Sequence, residues 1–407
     1  MAQAVGGTRT RGHPAALAAV RAALDRGGAH AILLVGPASV GKTTLALDAA
    51  AILLCTGAVG DARPCRDCRG CRMVESGNHP DLHRLAPDGP GGQIRIGERT
   101  NADPGTVRRL IADLSLMPVE GGARLAIVEQ AHRMNEDAQS ALLKTLEEPP
   151  AGVTIILSAD EEERLLPTVR SRSARIRLGP VGLREIEAIL VERGAADAAT
   201  AGRLGRLAAG RPGVALAYAL APDAVVARAE VARTLLDLLT APRAKRLAAT
   251  RDLLAASAVV TAGLAGPASG AGSGVGTRPG RSRGSRGSAP APAVQDESAA
   301  DPADSAAADT TRRIPVAERR RAALQLVDIW RDVTRDLAVV QLGDLRSVRD
   351  TALLDDLVAA TDRLPPGAAA AYLGRLTRAG ELLESNVSPE LVVDGLVIGW
   401  PRRLAVA

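Results

Sequence analysis

An eight-residue segment near the start of the chain constrains the fold more than any other feature. Its sequence, Gly-Pro-Ala-Ser-Val-Gly-Lys-Thr at 36–43, fits the pattern of a phosphate-binding loop. The apolar run 31–35 before it predicts a buried strand, and the segment 44–54 after it predicts a helix. In such a loop, backbone N–H groups surround phosphate oxygens, a lysine adds positive charge and a hydroxyl is placed to ligate Mg²⁺. The sequence therefore predicts a strand–loop–helix unit that binds a nucleotide.

The lysine content supports this interpretation. Lysine and arginine together number 51, yet only Lys42, Lys144 and Lys245 are lysines. Two of the three stand in recognisable motifs, and a planar guanidinium does not simply replace a compact ammonium at a phosphate. We expect Lys42 to contact the outer phosphates and Thr43 to ligate the metal ion. The residues predicted to form the nucleotide site are Gly36, Pro37, Ser39, Gly41, Lys42, Thr43 and Thr44.

All four cysteines follow this unit directly, at Cys55, Cys65, Cys68 and Cys71. Four thiolates in so short a stretch suit tetrahedral Zn²⁺ in a structural site, with free or redox-active thiols as the alternative. Disulfides are disfavoured because the sequence shows no signal peptide and nucleotide-dependent proteins work in reducing compartments. The histidines at 79 and 83 are weaker candidates, since four sulfurs already complete a closed shell.

The hydrophobic patterns divide the chain into three parts. Up to residue 178, strand patterns at 31–35, 124–129, 153–159 and 174–178 alternate with helical patterns at 106–116 and 135–148. This alternation predicts a parallel sheet with helices on both faces. The patterns are helical in 179–222 and again in 223–407, where a Gly-Ser-Ala-Pro-rich stretch at about 257–313 predicts a disordered linker.

Composition excludes some classes of function. The net charge of +5 is compatible with nucleic acid nearby, but an arginine-rich chain would carry it in any case. With two tryptophans, two tyrosines and no phenylalanine, base reading by aromatic stacking is not expected. No uninterrupted apolar run reaches the ~18 residues needed to span a bilayer. We expect a soluble, cytoplasmic protein without a membrane partner.

The strand pattern at 124–129 ends in polar residues, as expected of the strand that completes a phosphate-binding loop. Glu129 offers a carboxylate to Mg²⁺, whereas Gln130 cannot accept a proton from an attacking water. If Gln130 occupies the position of a catalytic base, nucleotide binds while hydrolysis is slow or absent. The alternative is a strand end whose polar residues merely contact solvent.

The segment 135–150 is specific enough to name a family. It resembles the signature helix of the bacterial DNA polymerase III clamp-loader subunits, which are AAA+ ATPases. Three further segments resemble that family in the expected order: His-Pro-Asp-Leu at 79–82, Ser-Arg-Ser at 171–173 in place of Ser-Arg-Cys, and Ser-Asn-Val-Ser-Pro-Glu-Leu at 385–391. The resemblance implies an α/β AAA+ core at 1–178 with an inserted zinc module, a helical lid at 179–222 and an all-α collar at 223–407.

The resemblance also assigns roles to residues. Arg172 matches the arginine finger, which reaches the γ-phosphate held by a neighbouring subunit. The alternative for Arg172 is a solvated charge run with the neighbouring arginines. Ser158 corresponds to the sensor-1 position, and Arg211 is a weaker candidate for sensor 2 that could instead cap a turn.

Within the family, gamma and tau subunits hydrolyse ATP, whereas a stator closes the ring and offers the finger. Gln130 and the ending 385–391 favour the stator, and the complete phosphate-binding loop leaves binding of ATP and Mg²⁺ open. The resemblance then implies a pentameric ring with gamma/tau and delta subunits that loads the sliding clamp onto primer-template DNA. The chain would be a component of a DNA-directed DNA polymerase complex whose own ATPase activity is weak or absent. The alternatives are an active gamma/tau-type motor and a zinc-containing scaffold with a vestigial loop.

Overall fold

A computed structural model describes residues 7–25, 29–88, 92–98, 103–120, 122–265, 315–362, 364–385 and 387–402. Five strands form one parallel sheet in the order β2-β3-β4-β1-β5, which confirms the predicted parallel sheet. The strands are β1 Ala31–Val35, β2 Leu82–Leu85, β3 Arg124–Val128, β4 Val153–Ala159 and β5 Ala174–Arg177.

Helices cover both faces of this sheet. They are α1 Pro14–Asp25, α2 Lys42–Leu53, α3 Arg69–Glu75, α4 Val107–Leu114, α5 Glu136–Glu147 and α6 Pro167–Ser171. Successive residues of β1 contribute to different cores: Ile32 and Leu34 belong to the cluster that contains α1 and α2, and Leu33 belongs to the cluster that contains α4 and α5. Because both faces are covered, β1 is apolar and buried along its whole length.

The predicted strands and helices of this part are present with shifted ends, whereas helices α1, α3 and α6 and strand β2 were not predicted from hydrophobic patterns. Asn135 caps α5 as expected, since its Oδ1 accepts a hydrogen bond from the backbone N–H of Ala138 at 2.9 Å. The strand β2 was not predicted as an element. It is short, lies at the edge of the sheet and includes the polar pair His83 and Arg84, so its apolar signal is weak.

From residue 183 onward the described elements are helical. They are α7 Leu183–Glu192, α8 Ala198–Leu207, α9 Pro212–Leu220, α10 Pro222–Asp237, α11 Arg243–Ala265, α12 Val316–Gln341, α13 Leu354–Thr361, α14 Ala368–Glu384 and α15 Pro389–Gly399. Three aromatic rings form the centre of the bundle made by α10–α15. Trp400 contacts Tyr372 and Trp330 edge-on, with ring centroids 4.7 and 5.2 Å apart.

The predicted start of the linker, at about residue 257, is wrong. Helix α11 continues to Ala265, past the predicted start at 257, because Ser257–Ala265 is rich in alanine, valine and leucine rather than in helix-breaking residues. The rest of the predicted linker, 266–313, lies outside the described residues, and so does Asn386 of the segment 385–391.

Among the described helices, α11 is long and apolar enough to cross a membrane, judged by length and composition only. Its buried face nevertheless carries a full positive charge. The guanidinium of Arg246 is fully buried and donates to backbone carbonyls, which include those of Ala241 at 3.0 Å, Trp400 at 2.5 Å and Pro401 at 3.1 Å. These bonds join α11 to the end of α15, so we treat α11 as part of the helical bundle.

Candidate functional site

A cleft of about 830 Å³ lies at the carboxyl ends of the central strands. The phosphate-binding loop follows β1, Glu129 and Gln130 follow β3, and Ser158 lies near the end of β4, so one edge of the sheet brings the three together. Helices α7 and α9 and the segment before α1 form the other walls. The lining residues are 8–11, 13, 38–44, 129, 130, 158, 160, 189, 192, 193, 212, 213 and 216.

Two glycines allow the close approaches that shape the loop. A Cβ at Gly36 would clash with the carbonyl oxygen of Leu178, so only glycine lets the chain pass from β1 into the loop. Gly213 of α9 donates its N–H to the Ser39 carbonyl at 3.0 Å. A Cβ at Gly213 would lie 3.1 Å from the Ser39 Cβ, which leaves little room for a side chain. The loop is thus in direct contact with the helical part of the chain.

The Lys42 ammonium is held by three partners. Its Nζ lies 2.6 Å from the carbonyl oxygens of both Gly36 and Pro37, and 2.7 Å from Oδ1 of Asp160. These contacts use all three of its N–H donors and leave Lys42 only 7% exposed. A phosphate that binds this loop must therefore compete with Asp160 for the ammonium. Asp160 was not identified from the sequence, although it directly follows the predicted strand 153–159.

The structure brings the predicted metal-binding pair together. The Thr43 hydroxyl donates to Oε2 of Glu129 at 3.3 Å. The other carboxylate oxygen, Oε1, accepts from Nη2 and Nε of Arg84 at 2.5 and 3.1 Å. Arg84 comes from β2 and was not expected in the site. Arg84 therefore offsets the charge on one oxygen of the Glu129 carboxylate even without a bound metal ion.

Gln130 has the left-handed backbone conformation, with φ 49° and ψ 49°. Its N–H donates to the Ser158 hydroxyl at 3.2 Å, which fixes the predicted sensor-1 residue against β3. Its side-chain Oε1 accepts from Nε of Arg133 at 2.6 Å. Nearby, burial lowers the pKa of His132 although Asp160 opposes the shift, and Nδ1 of His132 accepts the Asp160 N–H at 3.3 Å. A neutral imidazole and an amide thus occupy this side of the cleft.

The two predicted arginines lie away from the cleft. Arg172 ends α6 and is 37% exposed, with Nη2 2.6 Å from Oε1 of Glu147 and Nη1 donating to the Thr168 carbonyl at 3.2 Å. Arg211 donates Nε to the Ala208 carbonyl at 3.1 Å and does not line the cleft. Arg193 of α7 lines it instead, and no sequence pattern singled that residue out.

The four cysteine sulfurs form one cluster, within 4.8 Å of one another. The Sγ of Cys55 lies 3.6 Å from that of Cys65 and 4.0 Å from that of Cys68. Tetrahedral Zn²⁺ with Zn–S bonds of ~2.3 Å separates its sulfurs by about 3.8 Å, so the cluster fits the predicted ion. Backbone N–H groups of Cys68 and Cys71 donate to the sulfurs of Cys65 and Cys68, both at 3.4 Å. The two histidines near the cluster are not part of it.

Burial and hydrogen bonds act in opposite directions on these thiols. Burial raises the pKa of the Cys68 thiol, but N–H donors from Cys71 and Thr56 outweigh it and lower the pKa to about 5. The pKa of Cys55 is also lowered by such donors against burial, whereas burial raises the pKa of the deeper Cys71 thiol. The cluster is therefore prepared to hold thiolates, which are the form that binds metal.

Known proteins resemble the part of the chain that forms the sheet. A family model described as DNA polymerase III, delta subunit, matches residues 13–182. Curated proteins named DNA polymerase III subunit delta' match at 34–38% identity. Residues 13–182 are therefore similar to delta-prime subunits of DNA polymerase III. The Pseudomonas aeruginosa delta-prime subunit is 38% identical over 144 residues, which are 35% of this chain and 41% of that protein.

The same part of the chain also resembles gamma subunits. The DNA polymerase III subunit gamma of Buchnera aphidicola is 30% identical over 161 residues, 40% of each chain. The solved structure of a gamma subunit-related protein from Thermotoga maritima covers 94% of this chain and 97% of its own, with 15% identity and a TM-score of 0.36. The chain spans about two fifths of the length of these curated relatives. The family match includes the phosphate-binding loop, the cysteines and Arg172, and it ends where α7 begins.

Proposed function

We propose that the chain is a stator-like subunit of the replicative clamp loader of DNA polymerase III. In this role it supplies Arg172 in trans to a neighbouring ATPase subunit during ATP-dependent loading of the sliding clamp onto primed DNA. The observation that carries the proposal is the pairing within the cleft. Lys42 is bound to Asp160, Glu129 is bound to Arg84, and the side chain of Gln130, which cannot act as a base, is bound by Arg133.

These pairings argue against hydrolysis by this chain. Hydrolysis of ATP needs a residue that orients or deprotonates the attacking water, and Gln130 directs its amide oxygen to Arg133. Binding of ATP and Mg²⁺ remains compatible with the cleft, because Thr43 and Glu129 lie side by side and the loop is complete. The proposal is therefore binding with weak or absent turnover. Ser158 would act only by holding the Gln130 backbone, and Arg211 would act outside the cleft.

Arg172 has the accessibility that a finger requires. Its guanidinium lies at the surface and is paired with the exposed carboxylate of Glu147, at the end of α5. A surface ion pair of this kind contributes little to stability, so it can be exchanged for a phosphate of a neighbouring subunit. A guanidinium binds phosphate oxygens in a bidentate way and keeps its charge at all pH values in use.

The cysteine cluster would hold structural Zn²⁺. Four sulfurs complete a tetrahedral shell and leave no open position for substrate or water, so the metal would join the end of α2 to α3 without taking part in a reaction. The residues that would hold it are Cys55, Cys65, Cys68 and Cys71.

The helical bundle after residue 222 would form the collar, and α7–α9 the lid. The proposed partners are gamma/tau and delta subunits in a pentameric ring, the sliding clamp, and primer-template DNA held by backbone contacts without base readout. The named relatives are subunits of bacterial DNA polymerase III, and a cytoplasmic location is part of the same proposal.

Two other functions each have one observation in their favour. The complete loop and the similarity to a gamma subunit favour an active motor. The Lys42–Asp160 pair favours a zinc-containing scaffold whose loop no longer binds nucleotide. Nucleotide binding and steady-state hydrolysis by the purified chain, measured beside Lys42→Ala and Gln130→Glu variants, separate them. Binding without turnover supports the stator, Lys42-dependent turnover supports the motor, and absence of binding supports the scaffold.

The finger is tested in a reconstituted loader. We expect Arg172→Ala to leave the subunit folded and to slow hydrolysis at the one neighbouring site it serves, by up to the roughly thousandfold that an arginine finger contributes. Arg175→Ala is the matched control, because Arg175 is also an exposed arginine paired with a carboxylate, that of Glu162. Equal turnover with Arg172→Ala and the control would remove the assignment.

A further inference from the structure

A buried carboxylate connects the cysteine cluster with the wall of the cleft. Asp48 lies on α2 and is 1% exposed. Its Oδ2 accepts from the Thr10 N–H at 2.7 Å, the Thr10 hydroxyl at 2.6 Å and the Arg9 N–H at 3.0 Å. Its Oδ1 accepts from Nη2 of Arg66, a residue of the cysteine loop. No motif of the sequence pointed to Asp48.

The first group of these partners belongs to the cleft. Residues 8–11 line it opposite the phosphate-binding loop. They contain no helix or strand, and their position depends on hydrogen bonds made by side chains of other elements. The bonds from Arg9 and Thr10 to Asp48 therefore fix this wall against α2, the helix that also carries Lys42 and Thr43.

The remaining partner belongs to the cysteine cluster. Arg66 lies between Cys65 and Cys68 in the left-handed conformation, with φ 63°. The Cys68 N–H bond to the Cys65 sulfur closes the turn around it. From there the guanidinium reaches the N-terminal segment, since Nε donates to the Gly7 carbonyl at 2.6 Å. The Gly7 N–H in turn donates to the Pro64 carbonyl at 3.1 Å.

Through this network, the wall of the cleft and the cysteine cluster depend on each other. If Arg66 moves away, Asp48 stays buried with only neutral donors, which is unfavourable for a charged carboxylate. If residues 9 and 10 move away, Arg66 and Asp48 lose the segment that covers them. A metal ion that holds Cys65 and Cys68 together fixes the turn that aims Arg66. Without it, the turn is held only by weak contacts such as the 3.4 Å bond from the Cys68 N–H to the Cys65 sulfur, so Arg66 is less firmly fixed.

We propose that Asp48 is a positioning residue that couples metal occupancy of the four-cysteine cluster to nucleotide affinity of the cleft. It does so by holding Arg66 and the segment 8–11 at the same time. The inference rests on the proposed nucleotide binding and goes beyond it. Because coupling between two binding equilibria is reciprocal, nucleotide raises the affinity for Zn²⁺ by the factor by which Zn²⁺ raises the affinity for nucleotide.

The first test measures the dissociation constant of a fluorescent ATP analogue with Mg²⁺, on the zinc-loaded chain and on the chain stripped by a chelator. Stripping should weaken binding by about tenfold in the wild type, within the roughly 5–150-fold range of such couplings. In Asp48→Asn, the ratio of the dissociation constants of the stripped and zinc-loaded chains should approach one. Arg69→Ala is the control, since Arg69 belongs to the same loop but pairs with Glu120 at 3.0 Å, outside the network. It should keep the wild-type ratio.

The second test measures the same coupling from the metal side at equilibrium, because a fully stripped sample can unfold around the cysteine cluster. The affinity for Zn²⁺ is measured by equilibrium competition with a colorimetric chelator, with and without ATP and Mg²⁺. Nucleotide should raise the zinc affinity of the wild type by the same factor and leave that of Asp48→Asn unchanged. Amide exchange at Arg9 and Thr10, whose N–H groups donate to Asp48, should accelerate in the Asn variant, whereas the Ala138 amide on the other side of the sheet should not.

The outcomes separate this inference from the proposed function. If the zinc-loaded wild type binds no nucleotide, the proposed nucleotide cleft fails and the coupling fails with it. If it binds nucleotide with a zinc affinity that is the same with and without ATP, only the coupling is overturned. A ratio that persists in Asp48→Asn would also overturn the role of Asp48.

Discussion

Replacing Asp160 by asparagine should strengthen nucleotide binding rather than weaken it. The carboxylate lies 2.7 Å from the Lys42 ammonium, which a phosphate would otherwise engage. Asparagine keeps the size of the side chain and can still accept a hydrogen bond from Lys42, so the change mainly removes a negative charge from the phosphate site. The ammonium then becomes available to the ligand.

The magnitude follows from the exposure of the two groups. Lys42 is 7% exposed and Asp160 25%, so the pair is stronger than an exposed ion pair and weaker than one removed from water. Between the ~0.2–1 kcal/mol of exposed pairs and the ~1.5–3 kcal/mol of hydrogen bonds to charged groups, we take about 1–2 kcal/mol. Since each 1.4 kcal/mol is a factor of ten, affinity should rise by about 5–30-fold. Repulsion between Asp160 and phosphate acts in the same direction.

The assay is equilibrium binding of a labelled ATP analogue with Mg²⁺ at moderate salt. Glu161→Gln is the control, because it removes a neighbouring negative charge that is paired with Arg164 at 2.8 Å rather than with Lys42. It should change affinity far less than Asp160→Asn. Unchanged or weaker binding by the Asp160 variant would refute the argument that this pair competes with phosphate.

The remaining predictions concern stability. Arg246→Met should destabilise the helical bundle by about 3–5 kcal/mol, because it leaves several buried carbonyls without donors. Urea unfolding followed by tryptophan fluorescence measures this loss. The control is Lys245→Ala, which changes an exposed side chain and should alter stability by less than about 0.5 kcal/mol. In the folded, metal-free chain the pKa of Cys68 is about 5, well below its ordinary value of 9.0. Ionisation of Cys68 therefore adds to the free energy of unfolding in full above pH 9, and this stabilisation is lost as pH falls towards 5. The urea midpoint measured with chelator present should therefore rise from pH 5 to 9 in the wild type and rise less in Cys68→Ser; equal slopes would contradict the assignment of a thiolate to Cys68.

Sequence patterns predicted the features that depend on neighbouring residues. The strand and helix around the phosphate-binding loop, the cap at Asn135 and the clustering of the cysteines all depend on short stretches of chain, and each was confirmed. The parallel sheet was also predictable, because its three central strands, β3, β4 and β1, are buried apolar runs with helical patterns between them.

The pairings that decide how the site works were not predictable. Lys42 and Asp160 are far apart in the sequence, and so are Arg84 and Glu129, so their contacts depend on strand order and on where each strand ends. Asp48 belongs to no motif, and an aspartate is usually exposed to solvent, so its buried network was not foreseen. For Arg211, the sequence suggested either a sensor-2 residue or a turn cap. In the structure, its guanidinium donates to the Ala208 carbonyl in the turn before α9.

The positions of the two tryptophans determine which part of the chain its fluorescence reports on. Both tryptophans lie buried in the helical bundle, and neither lies in the sheet or lines the cleft. Tryptophan emission of the unlabelled protein therefore comes from the bundle, and a ligand in the cleft does not contact either tryptophan. A change of tryptophan emission on adding nucleotide would therefore report a conformational change that reaches the bundle from Ser39 through Gly213 and α9. The native protein thus contains its own reporter for such a change.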